Sequence, residues 1–299
     1  MRRRTALLFV APALVLFAVF ILYPMFTMFS YAFFTWAGTS RGAFVGIDNF
    51  VNLFTRAPFT TDLPRAALHN VIFFIGLLIV QNSIGVAIAY ALQSRPRIRQ
   101  ALQTIYATPY LIGPIVVGYL WSLLLSPVFG PINSALRAIG LDSLAIAWLG
   151  EPSTALWVVV LVSVWQWIGF PVLLYGAAFG GIPAELGEAA RMDGATNSQV
   201  FFRVTLPLLM PAVGTMTVLT FIFAMEVFAL PYAFGGSTGS PAGSIDFVSL
   251  LFYRVAFGSG ATDAIGNASA LAVLLFVVIF GGAFVGTRML RRYENRLVG

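Results

Sequence analysis

The sequence predicts an all-α membrane protein with six transmembrane helices, and three observations carry that reading. Apolar residues make up 59% of the 299 residues and charged ones only 9%, with a mean hydropathy of +0.90. A water-facing surface normally takes about a quarter of a chain as charged residues, so lipid must solvate much of this one. Six stretches, 6–34, 69–92, 101–125, 153–177, 207–230 and 265–288, reach the roughly 20 apolar residues that a helix needs to cross a bilayer. The arginines lie between these stretches or at their ends. Residues 1–299 therefore read as a single transmembrane domain.

The first stretch follows Met1-Arg2-Arg3-Arg4 and runs apolar to Phe34 without a small-residue cleavage site. It is too long for a signal core and reads as a retained anchor. The second stretch carries the polar run Gln81-Asn82-Ser83, and the short loop 93–100 after it holds Arg95, Arg97 and Arg99. The fourth carries Trp165, Trp167 and Tyr175. The fifth opens on Pro207 and Pro211 and holds Glu226, 19 residues along and thus toward its far end. The sixth holds Asn267 and Ser269 and ends among Arg288, Arg291, Arg292 and Arg296. With the N-terminus inside, 12 of the 17 arginines fall on the inner side, so both termini read as cytoplasmic. The outer loops 35–68, 126–152 and 231–264 are longer and broken by Gly, Pro and Ser. They read either as plain connectors or as surfaces for something outside.

Composition also excludes chemistry. There is no Cys and a single His, His69, which removes disulfides, thiolate metal sites and a histidine metal cluster. The net charge of +6 comes wholly from arginine at loop ends, with no basic face interleaved with aromatics of the kind nucleic acid requires. A phosphate-cradling loop needs Gly-rich backbone followed by Lys and Ser or Thr, and the chain has no Lys. Any ATP must be hydrolysed by another polypeptide, and no cofactor is expected here.

One inner loop is long. In 178–206, Pro183 suits the first turn of a helix, Glu185 and Glu188 favour its positive end, and Gly194 can take the left-handed conformation that stops it. A helix over 183–193 follows, and a second starts from Thr196, Asn197 or Ser198 with Val200, Phe201 and Val204 on one stripe. The pair lies on the inner membrane face. An amphipathic helix held by lipid would carry basic residues over a broad apolar face. This one is mixed in charge and rich in alanine, which favours the groove of a partner protein.

Glu188-Ala189-Ala190, Asp193-Gly194-Ala195, Phe202 and Leu206-Pro207-Leu208-Leu209-Met210-Pro211 together closely resemble the EAA loop of ABC-importer permeases, over about thirty contiguous residues. Pro183-Ala184-Glu185-Leu186, the Phe50 region, Gly130-Pro131-Ile132-Asn133, Trp165 and Leu230-Pro231-Tyr232 are similar to maltose-type and glycerol-phosphate-type permeases. The chain departs from that pattern at Gly187 and at Gly180-Gly181. The resemblance implies the type I ABC-importer permease fold, with 178–206 forming coupling helices. It implies docking of an ABC ATPase, which binds the ATP and magnesium, at Glu188, Ala189, Ala190, Asp193, Gly194 and Ala195. It further implies a second permease subunit, an extracytoplasmic solute-binding protein and the cytoplasmic membrane of a bacterium, with a mono-, di- or oligosaccharide as cargo.

Polar and aromatic residues within spans are costly and usually face a cavity or another helix. Asn82, Trp165, Trp167, Tyr175, Glu226, Tyr232 and Asn267 are the candidates for the substrate path. Aromatic rings stack on the apolar faces of sugars and amides bond their hydroxyls. The same residue types also form interfacial belts and glue helices together, and Glu226 reads equally as a solvated span end. A glycerol-phosphate or other anionic cargo would call for arginine within a span, and none falls there. A secondary transporter would show inverted repeats with interrupted helices, which the sequence does not display.

Overall fold

The structure, a computed structural model, describes residues 3–93, 96–258 and 263–298. Arg2 and Arg95, two of the inner arginines, lie outside the described residues. Among the described residues, four helices are long and apolar enough to cross a membrane uninterrupted: Phe9–Tyr31, Phe59–Gln93, Asn197–Glu226 and Ala264–Glu294. Two more spans are bent pairs, Ala101–Leu111 with Pro114–Leu124 at 94° and Pro152–Trp167 with Gly169–Gly180 at 49°. Six spans result when each pair counts as one. Large apolar side chains such as Phe20, Leu111 and Phe280 point outward, 63–79% exposed, as lipid-facing residues do.

The spans differ from the sequence expectation in four ways, each with a backbone cause. The second helix begins at Phe59, ten residues before the expected 69. Its 35 residues extend about 50 Å against roughly 30 Å of hydrocarbon, so one end projects beyond the lipid. The third span is not continuous over 101–125, because Pro109 and Pro114 each remove a backbone donor and bias the preceding residue away from helix. In the fourth, Pro171 leaves the carbonyl of Trp167, four residues earlier, without its helical donor, and Gln81 Nε2 donates to that oxygen at 3.5 Å. The fifth helix stops at Glu226 rather than 230, where Val227 turns extended, and a separate short helix, Ala229–Gly235, follows.

The chain forms two compact units. One comprises Met1–Pro64 with Leu251–Val277. The segment from 35 on, expected as loop, contains an antiparallel hairpin of β1 (Phe34–Ala37) and β2 (Ser40–Phe44), turning at Gly38 with φ +60°. Phe34 faces Phe44 across the pair, and the Arg41 guanidinium sits 3.4 Å over the Phe34 ring. Asn49 Nδ2 donates to the carbonyls of Ala32 and Phe34 at 2.9 and 3.0 Å, and Arg254 pairs with Asp62 at 3.2 Å. The Trp36 amide donates to Asp263 at 2.8 Å.

The other unit comprises Arg65–Leu250 with Val278–Gly299. Its spans approach closely at glycines: a Cβ on Gly85 would lie 2.8 Å from Pro171, and one on Gly76 2.9 Å from Val160. Buried polar side chains tie down the segments between its spans. His69 Nδ1–H donates to the Asp246 carbonyl at 2.8 Å, and the fully buried Asp246 carboxylate faces Arg65 at 3.6 Å. Asn70 bridges the Ala224 carbonyl and the Val248 amide at 2.7 and 3.0 Å. Asn133, in the helix Pro131–Ala138, donates to the Ile146 carbonyl and accepts from Trp148 Nε1, both at 2.9 Å. Asn133→Ala strands those buried groups and should cost about 1–3 kcal/mol, read as a lower thermal midpoint in detergent.

Candidate functional site

The first candidate is the loop between the fourth and fifth spans. Its helix is Ala184–Met192, with Pro183 as the residue just outside rather than in the first turn as expected. The end matches the chemistry of its residues. Gly194 takes φ +85°, its N–H bonds the Arg191 carbonyl, and the Ala195 N–H reaches back to the Ala190 carbonyl, both at 3.0 Å. This is a Schellman motif, which the left-handed residue makes possible. The next turn opens with a reciprocal capping box, Thr196 Oγ1 accepting from the Gln199 amide while Gln199 Oε1 accepts from the Thr196 amide. Val200 is buried and Phe201 packs on Tyr90 at 4.6 Å, so the expected stripe anchors the second helix to the second span.

The first helix is left uncovered. Glu188, Ala189, Asp193 and Gly194 are exposed, Ala190 and Ala195 half-buried, and Met192 is 87% exposed. Beneath it, Gly187, Glu188, Arg191, Val200 and Tyr90 border a recess of about 600 Å³. A Cβ on Gly187 would meet only Val200 and Arg191 at 3.7–3.8 Å, ordinary contact, whereas Gly194 needs its positive φ. Gly194→Ala should therefore cost about 1–2 kcal/mol, while Gly187→Ala should be neutral or stabilising by up to about 1 kcal/mol. Paired thermal midpoints in detergent check both.

The second candidate is a cavity of about 270 Å³ where the bends of the third and fourth spans meet the end of the fifth. Pro114, Ser163, Gln166, Trp167, Phe223 and Glu226 are among its walls. Gln166 is placed by the break in the third span: its Nε2 donates to the freed carbonyl of Ile112 at 2.8 Å, so its Oε1 is turned away and has no partner. Trp167 is held between Tyr110 and Phe223, with ring centres 4.8 and 4.7 Å away. A smaller void of about 80 Å³ also borders Trp167, and there Gln81 Oε1 and Thr220 Oγ1 are buried without partners.

Of the sequence candidates, Trp167 and Glu226 meet in this cavity. Asn82 and Tyr175 meet each other instead: the Tyr175 hydroxyl donates to Asn82 Oδ1 at 3.0 Å, with both residues buried. Trp165 packs edge-on against Trp121 at 5.5 Å. Tyr232 stacks on Phe228, a wall residue, at 5.3 Å. Asn267 belongs to the other unit, where it accepts from Asn52 at 3.4 Å. Gln166 and Ser163 were missed. The available signal was an amide within an apolar run, the feature that singled out Gln81.

Residues 81–298 match the family described as the binding-protein-dependent transport system inner membrane component. The chain is 34% identical over 274 residues to a probable ABC transporter permease protein, YurN, of Bacillus subtilis, covering 91% of this chain and 90% of that one. It is 33% identical over 281 residues to the diacetylchitobiose uptake system permease protein NgcF of Streptomyces coelicolor, covering 91% and 78%. Among solved structures, a chain of a bacterial alginate ABC transporter, crystallised with an alginate pentasaccharide-bound periplasmic protein, superposes with a TM-score of 0.81. It is 26% identical, with 97% of this chain and 95% of that one covered. A chain of the MetNI methionine transporter, 20% identical with a TM-score of 0.51, shares the fold alone. The chain belongs to the binding-protein-dependent transport system inner membrane component family and is a multi-pass ABC-importer permease of the type I fold.

Proposed function

We propose that the chain is the membrane-spanning subunit of an ATP-driven importer for a carbohydrate. The single observation that carries the cargo is the cavity at Trp167. An aromatic ring, a carboxylate and an amide whose oxygen has no partner border one cavity within a largely apolar bundle. Buried polar atoms are almost always bonded, so the unpartnered Gln81, Gln166 and Thr220 oxygens around Trp167 support a polar solute passing there. A sugar ring supplies both an apolar face and hydroxyl donors. The names of relatives agree, including transport proteins for starch degradation products, diacetylchitobiose and lactose.

The uncovered helix Ala184–Met192 would seat in a cleft of an ATPase subunit, with Glu188, Ala189, Ala190, Asp193, Gly194 and Ala195 as the docking residues. The loop and both termini would then be cytoplasmic. A second permease subunit would complete the passage, and the outer segments 35–68, 126–152 and 231–264 would receive a solute-binding protein. The bundle then has two states, and nucleotide in the motor biases them only through differential affinity. The test is purification through a tag on this chain, mass-spectrometric identification of what copurifies, and vesicle uptake of labelled maltose, lactose and diacetylchitobiose. ATP-dependent uptake of a saccharide with an ATPase present is expected. Accumulation by this chain alone, or an ATPase-bound complex that moves no saccharide, would overturn the reading.

A further inference from the structure

We propose that Glu226 makes the Trp167 cavity a charge selector, admitting a neutral or cationic sugar ring and turning away a carboxylated one. This rests on the carbohydrate reading above and narrows its cargo. Among the described residues, Glu226 is the one ionisable residue lining the cavity, and it is exposed. Among the described residues, no ion pair or hydrogen bond reaches it. Its position is electrostatically unfavourable, because it is the last residue of the helix Asn197–Glu226, where the helix dipole already places about half a negative charge. A cation would be the stabilising choice at such an end. Among the described residues, no charged side chain pairs with the carboxylate.

Gln166 reinforces the sign. It is 1% exposed, its amide nitrogen is spent on the Ile112 carbonyl, and its oxygen is buried without a partner behind the cavity wall. With no arginine on the wall, the accessible Glu226 carboxylate presents acceptors only, with the Gln166 oxygen adding partial negative charge behind it, and an occupant that supplies O–H or N–H donors suits it. Hydroxyls do so, and an ammonium does so with charge. The carboxylate group of an acidic sugar has no donor, meets like charge, and is desolvated with no compensating partner. The volume of about 270 Å³ lies just below the range of about 300–1,000 Å³ for small-molecule sites, which suits one ring at a time.

The test is saturation-transfer NMR on the importer purified intact from its host membranes, with maltose, chitobiose and digalacturonate as neutral, cationic and acidic probes. For the unaltered protein, transfer to maltose and chitobiose is expected, with digalacturonate weaker by about tenfold or more. Glu226→Gln keeps the shape and should remove most of that gap, with Glu226→Asp restoring it. Equal transfer to digalacturonate in the unaltered protein, or a gap that survives Glu226→Gln, overturns the selector while saccharide uptake in vesicles still upholds the carbohydrate reading. Absence of transfer to all three probes in a protein that takes up maltose also overturns it. Absence of both transfer and uptake removes the carbohydrate reading itself.

Discussion

Replacing Glu188 by Arg is expected to detach the chain from its proposed ATPase while leaving the permease folded. Glu188 is exposed on the helix Ala184–Met192, and among the described residues it makes no ion pair, so its removal disturbs no internal partner. The new charge falls three residues from Arg191, a like-charge spacing worth only about 0.2–0.5 kcal/mol on a helix surface. In an interface, breaking a buried charged contact costs about 2–5 kcal/mol, which at 1.4 kcal/mol per factor of ten is roughly thirtyfold or more in retention. Pull-down through this chain, with the thermal midpoint measured alongside, separates the two effects. Glu151→Arg, equally exposed but outside the loop, should retain the ATPase. An unchanged pull-down for Glu188→Arg would remove the docking role from this helix.

Much of this was legible in the sequence, because it depended on local chemistry. Gly194 stops its helix as a left-handed residue must, and Thr196 caps the next one. The six apolar runs survive as four continuous helices and two bent pairs, since hydropathy reports on solvent and the solvent is lipid. Hydropathy does not report on backbone continuity, so the 94° bend at Ile112-Gly113 was invisible to it although Pro109 and Pro114 were in view. Pairings between spans were equally hidden. Asn82 and Tyr175 each qualified as a path residue by type, yet the Tyr175 hydroxyl donates to Asn82 Oδ1 across 93 residues of sequence, leaving Asn82 Nδ2 buried without a partner. Gln166 went unnoticed between two tryptophans because its role depends on a carbonyl 54 residues away, exposed only by a break that hydropathy cannot register. Glu226 was correctly placed near a span end by counting from Pro207. Its neighbours in the cavity come from other spans and could not be counted.

Gly169→Val should give the largest loss of folded protein of any substitution considered. A Cβ at Gly169 would lie 2.4 Å from the Tyr106 carbonyl oxygen, 2.8 Å from its carbon and 2.9 Å from Ala107 Cα. All three are backbone atoms, so no side chain can swing aside. That backbone runs into the bend of the third span, which Gln166 clasps through Ile112, so relief by movement would cost a second interaction. Overpacking a core with a flexible neighbour costs about 1–3 kcal/mol, and a rigid one more, against a net stability of about 5–15 kcal/mol. Membrane accumulation of Gly169→Val should fall severalfold, with Gly169→Ala intermediate, by quantitative immunoblot of membranes. Gly281→Ala, with nothing within 4 Å of the new Cβ, should accumulate normally. The contact also reaches function, because Gly169 lies two and three residues after Trp167 and Gln166. Whatever Gly169→Ala protein does fold should therefore show reduced saccharide uptake per molecule, since pushing the fourth span off the third moves both residues out of the cavity together. Normal accumulation with normal uptake for Gly169→Val would mean that the two bent spans do not pack through this glycine, and the cavity would lose the contact that positions it.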